Sequence, residues 1–275
     1  MSERIVEIST LKSIIIKSLF EVIKPYIKET NILINNEGMK ISTMDISKVS
    51  LTYIKLYAEK FEKFYCKSPI ILGIDTSILF KVIKYCNRRE TITFYVTKDE
   101  PNLLGIELSD PYMGKVKDYK IPLLALDDKI ENISSMEFDY IINMPTIQFQ
   151  QIIKDVHLLE GKIVEIKSLG KQIIFSCKDG TAQFKTSISE VDDKLNKDQK
   201  TLLQQNGEDL KGIKFHKSNE NVIVQGKFKL SYLMNFIKAS HLCENMNILL
   251  TNDKPLILEY FIADLGIMRM LLLNF

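Results

Sequence analysis

The strongest constraint on the fold is an internal duplication, because two long segments of this 275-residue chain recur later in the sequence. DTSILFKVIKYC at 75–86 recurs 154 positions later as KLSYLMNFIKAS at 229–240, and both stretches have the apolar spacing of an amphipathic helix. The same offset places the turn that contains Pro101 onto the turn that contains Pro255. We therefore predict that each helix is followed by a strand, a proline-containing turn and a second strand.

An earlier pair of segments repeats with an offset of 132 residues. ILINNEGMKIST, around Gly38, matches VEIKSLGKQIIFS, around Gly170, and each copy follows a predicted helix, at 13–24 and at 146–160. Each half of the chain therefore has the order strand, helix, several strands, helix and several strands, which is an α+β arrangement. The polar run at 190–220 is longer than its counterpart, and we expect it to be a solvated, mobile loop.

The helix predicted at 75–86 has one apolar and one cationic face. Its predicted apolar stripe consists of Ile78, Leu79, Val82 and Ile83. Lys81 and Lys84 lie on the opposite face, and Lys238 takes the place of Lys84 in the later copy. Each half thus offers helices with a small lysine-bearing surface, with sheets on their other side.

The segment IPLLALDDKIENISSMEFDY at 121–140 has neither a helical nor a strand period, and it is predicted to join the two halves. We predict an N-terminal domain at 1–122, an interdomain connector at 123–137 and a C-terminal domain at 138–275.

The sequence contains no recognisable catalytic or metal-binding motif. Its four cysteines form no CxxC pair, its three histidines fit no HExxH spacing, and no GxxxxGK[ST] loop is present. The neighbouring carboxylates of Asp127 and Asp128 lie in a polar linker and are expected to be solvated. We therefore expect no enzyme activity, no catalytic residue, no metal site and no cofactor.

The first ten residues lack the apolar run of a signal peptide, and no apolar run approaches membrane-spanning length. We expect an intracellular protein with no membrane partner and with reduced cysteines. The formal net charge is only +2, from 37 basic and 35 acidic residues, so the positions of the lysines matter more than their number.

Several collinear motifs resemble the sliding clamps of the proliferating cell nuclear antigen (PCNA) family over nearly the whole chain. They are TMDISKVSL, FYCKSPIILGIDTSILFKVIKYC, GKVKDYKIPLLALD and KPLILEYFIADLGIMRMLL. The resemblance implies an α+β DNA-clamp fold with two similar domains per chain, helices on the inside and antiparallel sheets on the outside. It further implies a closed ring of three chains around duplex DNA, acting as a processivity factor in the nucleus or at another site of DNA replication, including a viral one.

The resemblance implies that lysines contact DNA phosphates without reading the base sequence. The residues that match or neighbour the family's DNA-facing positions are Lys17, Lys24, Lys67, Lys81, Lys84, Lys154 and Lys238.

The resemblance also implies a pocket for short motifs of DNA polymerase, the clamp loader, ligase and nuclease. Its expected lining is Met44, Lys48, Val49, Leu51, Ile133, Phe138, Pro255, Leu271 and Leu273. A flexible methionine suits a pocket that accepts several apolar plugs. The chain departs from the family pattern here, and the departures are Lys48 for a histidine, Glu131 for an apolar residue, Ser134 for a proline, and Leu271, Leu273 and Asn274 for a tyrosine-alanine-proline ending.

By family match, the subunits pair through two edge strands, at 114–120 and at 181–188. The interface residues expected from this match are Lys115, Tyr119, Thr181 and Phe184. Two alternatives stay open at this point. One is a subunit of a hetero-oligomeric checkpoint-type clamp, and the other is a polymerase accessory subunit that binds DNA by charge without encircling it.

Overall fold

The computed structural model describes residues 3–127, 136–190 and 212–275. Within these ranges the fold is a sheet-rich α+β arrangement of eighteen strands and four α-helices. The chain divides into two compact units, of which the first comprises Met1–Ser134 with Phe261–Arg269 and the second Ser135–Tyr260 with Met270–Phe275. No helix in the described ranges is long and apolar enough to cross a membrane.

The first unit contains two antiparallel sheets and two helices. Its elements are β1 (Arg4–Thr10), α1 (Ser13–Ile23), β2 (Glu29–Asn35), β3 (Gly38–Met44), β4 (Ser50–Tyr57), β5 (Lys63–Cys66), β6 (Ile70–Asp75), α2 (Thr76–Ile83), β7 (Thr91–Thr97), β8 (Leu103–Asp110) and β9 (Lys115–Pro122). One sheet has the order β5-β1-β7-β8-β9, and the other contains β4-β3-β2-β6. Alternating apolar residues of these strands, together with the inner faces of α1 and α2, form the buried core.

The second unit repeats this plan. Its elements are β10 (Tyr140–Pro145), α3 (Thr146–Leu158), β11 (Ile163–Leu169), β12 (Gln172–Cys177), β13 (Phe184–Ser189), β14 (Lys214–Lys217), β15 (Val224–Lys229), α4 (Leu230–Phe236), β16 (Asn245–Leu250) and β17 (Leu256–Ile262). One sheet contains β14-β10-β16-β17 and the other has the order β13-β12-β11-β15. The last strand, β18 (Gly266–Leu272), contributes to both units.

The structure confirms the duplicated order of elements. α2 is followed by β7, the turn with Pro101 and β8, and α4 is followed by β16, the turn with Pro255 and β17. The two matched glycines both lie in hairpin turns with positive φ, +140° at Gly38 and +56° at Gly170. Gly38 is required on steric grounds as well, because a Cβ there would lie 1.9 Å from the carbonyl oxygen of Leu56.

Both repeated helices are shorter than predicted. α2 begins at Thr76 because the Asp75 carboxylate caps it, accepting the N–H groups of Ser77 and Ile78 at 2.8 and 3.0 Å. Ile78 was predicted to be on the apolar stripe but is partly exposed, whereas Leu79 and Ile83 are buried. α4 ends at Phe236, and a tighter 3₁₀ turn, Ile237–His241, completes the predicted helix.

The prediction of a loop at 190–220 is wrong for the final part of that range. Residues 191–211 lie outside the described ranges, but Lys214–Lys217 forms the edge strand β14, which pairs with β10. The Phe215 ring packs edge-on against the ring of Tyr140, with centroids 6.3 Å apart, and this apolar contact fixes an otherwise polar segment.

Two fully buried tyrosines of the second unit differ in how their hydroxyl groups are satisfied. The Tyr140 hydroxyl lies 2.6 and 2.7 Å from the carbonyl oxygens of Asn219 and Val222. The Tyr260 hydroxyl has no hydrogen-bond partner among the described residues. A buried hydroxyl without a partner opposes folding because it loses its hydrogen bonds to water.

We expect Tyr260→Phe to raise the free energy of unfolding by about 1 kcal/mol, since it removes an unsatisfied polar group. Tyr140→Phe should lower it by about 1–2 kcal/mol, because two carbonyl groups lose their donor. Urea midpoints of the two variants and the parent test this pair. A loss of stability in Tyr260→Phe equal to that in Tyr140→Phe would contradict the assignment.

Candidate functional site

The predicted DNA-binding lysines of the first unit lie on two helices that pack together. The Ser13 hydroxyl, at the start of α1, donates to the carbonyl oxygen of Asn87, just after α2, at 2.9 Å. Lys17 is half-buried on α1 and Lys81 is exposed on α2. Each of the two packed helices of this unit therefore carries a lysine that is at least partly exposed.

Two further lysines of these helices lie over aromatic rings. The Lys24 ammonium group is 3.5 Å from the centroid of Phe80, and that of Lys84 is 4.5 Å from the centroid of Tyr85. A ring face orients an ammonium group without neutralising its charge. Lys84 therefore remains a cation available to an anion, while the stem of Lys24 also packs against α2.

The second unit places Lys154 and Lys238 in an equivalent arrangement. α3 packs against the 3₁₀ turn that follows α4, where the Thr146 hydroxyl donates to the carbonyl oxygen of Ser240 at 3.0 Å. Lys154 is exposed on α3, and Lys238 is exposed on the turn, where its ammonium group donates to Asn235 Oδ1 at 2.9 Å.

Lys67 differs from the other predicted DNA-binding lysines. It follows the edge strand β5 and not a helix, and its ammonium group lies 2.8 Å from the Glu3 carboxylate. The hydrogen bond from Lys67 lowers the pKa of Glu3, and the same contact raises the pKa of Lys67. Its charge is compensated within the chain, so Lys67 is the weakest candidate for a phosphate contact.

Sequence reasoning missed a cationic pair in the turn after α2. Arg88 and Arg89 are exposed and form no ion pair with any residue that the structure describes. The signal was present in the sequence, because the stretch 81–89 contains four cations and no acidic residue.

The loop within TMDISKVSL, between β3 and β4, is organised by one carboxylate. Asp45 Oδ1 accepts the N–H groups of Val49 and Ser50 at 2.8 and 2.5 Å, and Oδ2 accepts that of Ser47 at 3.2 Å. Lys48 adopts a positive φ of 56°, which the turn requires. The aspartate of the Met-Asp pair thus fixes the loop, as Asp side chains do in turns.

Apolar side chains are displayed around this ordered loop. Met44 is 39% exposed, Val49 is half-buried, and Ile46 at the tip is fully exposed, whereas Leu51 is largely buried in β4. The loop therefore presents a small apolar surface, beside the exposed Lys48, to which Leu51 contributes little area.

The other predicted pocket residues belong to the second unit or lie outside the described ranges. Phe138 is buried, and the Asp139 carboxylate beside it accepts from the Thr251 hydroxyl and the Asn219 amide, which lower the pKa of Asp139. Pro255 is half-buried and Leu273 is exposed, but Leu271 is buried within β18. Leu271 was predicted to line the pocket, and this role stays a prediction for a side chain that is largely buried in the chain. Glu131, Ile133 and Ser134 lie outside the described residues.

The two strands predicted as subunit edges lie at sheet edges. β9 pairs with β8 and β13 pairs with β12, and the outer side of each strand has no partner in the described part of the chain. Lys115 and Tyr119 are exposed on β9, and Phe184 is half-buried on β13. Thr181 precedes β13 instead of lying in it, because its N–H donates to the carbonyl oxygen of Leu159 at 2.7 Å.

A polar ladder supports β9 on the outer face of its sheet. The Tyr95 ring crosses Gly105, where a Cβ would lie 2.1 Å from the ring, and the Tyr95 hydroxyl donates to Asp118 on β9 at 2.7 Å. Burial and the hydrogen bond to Asp118 raise the pKa of Tyr95 to about 12. The Arg4 guanidinium lies 4.3 Å from the centroid of the same ring and also bonds Glu107. These contacts hold the edge strand in a fixed position.

No cluster of three or more histidine, cysteine, aspartate or glutamate side chains suited to a metal ion occurs within the described ranges.

Comparisons with known proteins cover almost the whole chain. The family model described as "Proliferating cell nuclear antigen, N-terminal domain" matches residues 5–132, and the one for the C-terminal domain matches residues 132–275. A protein named "Probable DNA polymerase sliding clamp 1" from Paramecium bursaria Chlorella virus 1 is 28% identical over 266 residues, covering 95% of this chain and 94% of that protein.

Two cellular proteins give similar values. "Proliferating cell nuclear antigen" from Dictyostelium discoideum is 25% identical over 261 residues, covering 94% of this chain and 95% of that protein. "Proliferating cell nuclear antigen 2" from Drosophila melanogaster is 26% identical over 260 residues, covering 94% and 92% of the two chains.

Proposed function

Since the chain belongs to the proliferating cell nuclear antigen family, we propose that three copies of it close into a ring around duplex DNA. The chain is a DNA sliding clamp, a DNA-binding processivity factor of DNA replication. Members of this family act as scaffolds and not as enzymes. The observation that carries the assignment is the consecutive match of both family domains over residues 5–275.

Backbone pairing between two different edges would close the proposed ring. β9 of one copy would pair with β13 of the next, so that each joint uses the same two unlike surfaces. The free outer sides of both strands support this arrangement, as do the exposed Val116 and Tyr119 side chains on β9. An edge strand that carries exposed apolar residues is otherwise prone to unwanted pairing.

The lysine-bearing helices would line the hole of this ring. Ammonium groups on flexible stems exchange phosphate contacts one at a time, so they hold DNA without reading its sequence and without stopping translation along it. Ring closure, and not tight binding, would then prevent escape from DNA. The exposed lysines of α2, α3 and the turn after α4 support this role.

The loop organised by Asp45 would receive short apolar motifs of DNA polymerase, the clamp loader, ligase and nuclease. A bound motif raises the effective concentration of each partner at the DNA that the ring encircles. The fixed backbone of the loop and the exposed Met44 and Ile46 side chains support this role. The protein would act in the nucleus or at a viral replication site.

The relatives, named as PCNA or as polymerase sliding clamps, favour neither alternative from the sequence. A checkpoint-type subunit would form no ring alone, and an accessory subunit that does not encircle DNA would stay on linear DNA with free ends.

If three copies form the proposed ring, the native mass should be three times the 31.8 kDa of the chain. Tyr119→Ala or Phe184→Asp should shift the assembly towards monomers, because each weakens one side of the proposed joint. Native mass spectrometry or sedimentation measures the mass. Tyr65→Ala is a matched control, since Tyr65 is 44% exposed on the edge strand β5 and Tyr119 is 39% exposed on β9. A monomeric parent at micromolar concentration would overturn the ring.

If the lysine-bearing helices face DNA, their lysines should make the affinity for duplex DNA depend on salt concentration. Replacing Lys17, Lys81, Lys84 and Lys238 by alanine should reduce the slope of log affinity against log salt by roughly 3.6, or 0.9 per phosphate contact. Titration of a labelled duplex at several salt concentrations gives the slope. Alanine at the exposed Lys60, Lys178, Lys217 and Lys227 provides a control with the same change in charge. Equal slopes for the two quadruple variants would remove the helices from the DNA interface.

If the loop organised by Asp45 binds partner peptides, substitutions in this loop should weaken peptide binding. Met44→Ala should weaken binding of a peptide with aromatic and aliphatic anchors about tenfold, which corresponds to about 1.4 kcal/mol. Leu169→Ala is the control, because Leu169 has a similar exposure of 43% in a different hairpin. Lys48→Glu should reduce the preference for peptides with acidic flanks, and this effect should fade as salt rises. Fluorescence titration of labelled peptides measures the affinity of all three variants. Equal losses of affinity in the Met44 and Leu169 variants would exclude the loop as the peptide-binding site.

A further inference from the structure

The turn after α2 has the composition of a polyanion-binding site that the proposed lysine set does not include. Residues 81–89 contain four cations and no acidic side chain, and Arg88 and Arg89 are both exposed. From these residues we propose that the turn is an additional phosphate-binding site for duplex DNA, in which Arg88 and Arg89 make the contacts. This inference rests on the proposed function, since it extends the DNA interface of the same clamp.

The two arginines differ from several other cations of the first unit, whose charges are compensated by carboxylates. Ion pairs join Lys12 to Asp264, Lys63 to Glu7 and Lys120 to Glu100. Neither Arg88 nor Arg89 has such a partner in the described residues. A bound polyanion would supply the missing counter-charge.

Asn87 and Glu90 hold the turn in a defined shape. The carbonyl oxygen of Asn87 accepts the Ser13 hydroxyl at 2.9 Å, its N–H donates to Glu90 Oε2 at 2.9 Å, and its Oδ1 accepts the N–H of Arg89 at 2.9 Å. Little backbone entropy is therefore lost when the arginines bind a ligand.

The carboxylate that follows directly in the sequence does not neutralise the arginines. Glu90 is only 3% exposed, and its Oε1 accepts a hydrogen bond from the Lys117 ammonium group at 2.6 Å. The negative charge of Glu90 is thus buried and is already compensated by Lys117 of β9. The turn consequently presents an uncompensated positive surface on an ordered backbone.

Arginine and lysine bind phosphate differently. A guanidinium group is planar and can donate two parallel hydrogen bonds to one phosphate, whereas an ammonium group acts as a point charge. The turn would therefore hold the DNA backbone more firmly than the lysines of the helices do. Beside it, the Tyr85 ring is 76% exposed and carries the Lys84 ammonium group over its face, so that ring and cation extend the same surface.

Duplex DNA fits this surface better than an acidic peptide because the turn continues a row of cations. Lys81 lies on the exposed face of α2, Lys84 caps its C-terminal end, and the arginines follow after three residues. Such a row suits the regularly spaced charges of a nucleic-acid backbone. A short acidic peptide motif would contact only one end of this row of cations.

The test compares three double variants of the full chain by titration of a short labelled duplex at several salt concentrations. Arg88→Gln with Arg89→Gln should weaken binding and reduce the log–log slope by roughly 1.8, for two lost contacts at 0.9 each. Arg88→Lys with Arg89→Lys should keep the slope, because the charge is kept, but bind more weakly than the parent. Lys178→Gln with Lys227→Gln, two exposed lysines of the second unit, should match the parent.

The outcomes separate this inference from the proposed function. If the lysine quadruple variant loses slope while the glutamine pair behaves like the Lys178 and Lys227 control, the inference is overturned and the clamp assignment stands. If the glutamine pair loses slope and the lysine variant does not, the turn is supported and the helix assignment fails. If neither variant differs from the parent in slope, both assignments are overturned, and equal binding of a poly-glutamate peptide overturns the choice of DNA. Unchanged urea midpoints exclude unfolding as the cause.

Discussion

The cost of burying an ammonium group determines which surfaces of this molecule are available for function. Each helix packs an apolar stripe onto a sheet, and a lysine on that stripe would lose its hydration without gaining a partner. The lysines of α1 and α3 are therefore confined to the outer faces, as Lys17 and Lys154 illustrate. Because the chain repeats the helix-on-sheet plan twice, the same cost places cations on the outer face of helices in both units. The proposed DNA interface depends on this physical sorting.

The sheets impose a second constraint, because each must end at a strand whose outer hydrogen-bonding groups are unpaired. The two ends of one sheet in the first unit are treated differently. β5 is only four residues long, whereas β9 has eight residues, exposes Val116 and Tyr119, and is held in place by Asp118 and the Tyr95 hydroxyl. A short edge resists association, but a long, supported and partly apolar edge favours it. This difference is the physical basis for choosing β9 as a joint of the proposed ring.

The sequence predicted the order of elements better than it predicted individual contacts. Periodicity identified α1, α2 and α3 because their apolar spacing is set by the sheets beneath them. It failed for β14, whose polar residues pair with β10 through the backbone and gain one ring contact from Phe215. The role of Asp45 was also invisible, since three hydrogen bonds from N–H groups depend on the path of the loop. The resemblance predicted that Leu271 lines the pocket, but a family position alone does not show how much of a side chain is exposed, and the structure leaves little of Leu271 exposed.

The near-neutral net charge also needs a structural explanation, because polyanion-binding proteins often carry an excess of basic residues. Here the balance of 37 basic and 35 acidic residues conceals an uneven distribution. Several cations of the strands and hairpins are paired with carboxylates, as Lys63 is with Glu7 and Lys171 is with Glu190. The cations on and after α2 have no such partners among the described residues. Pairing thus reduces part of the positive surface outside the helices, so a chain with almost no net charge can still offer an anion a concentrated group of cations on and after α2.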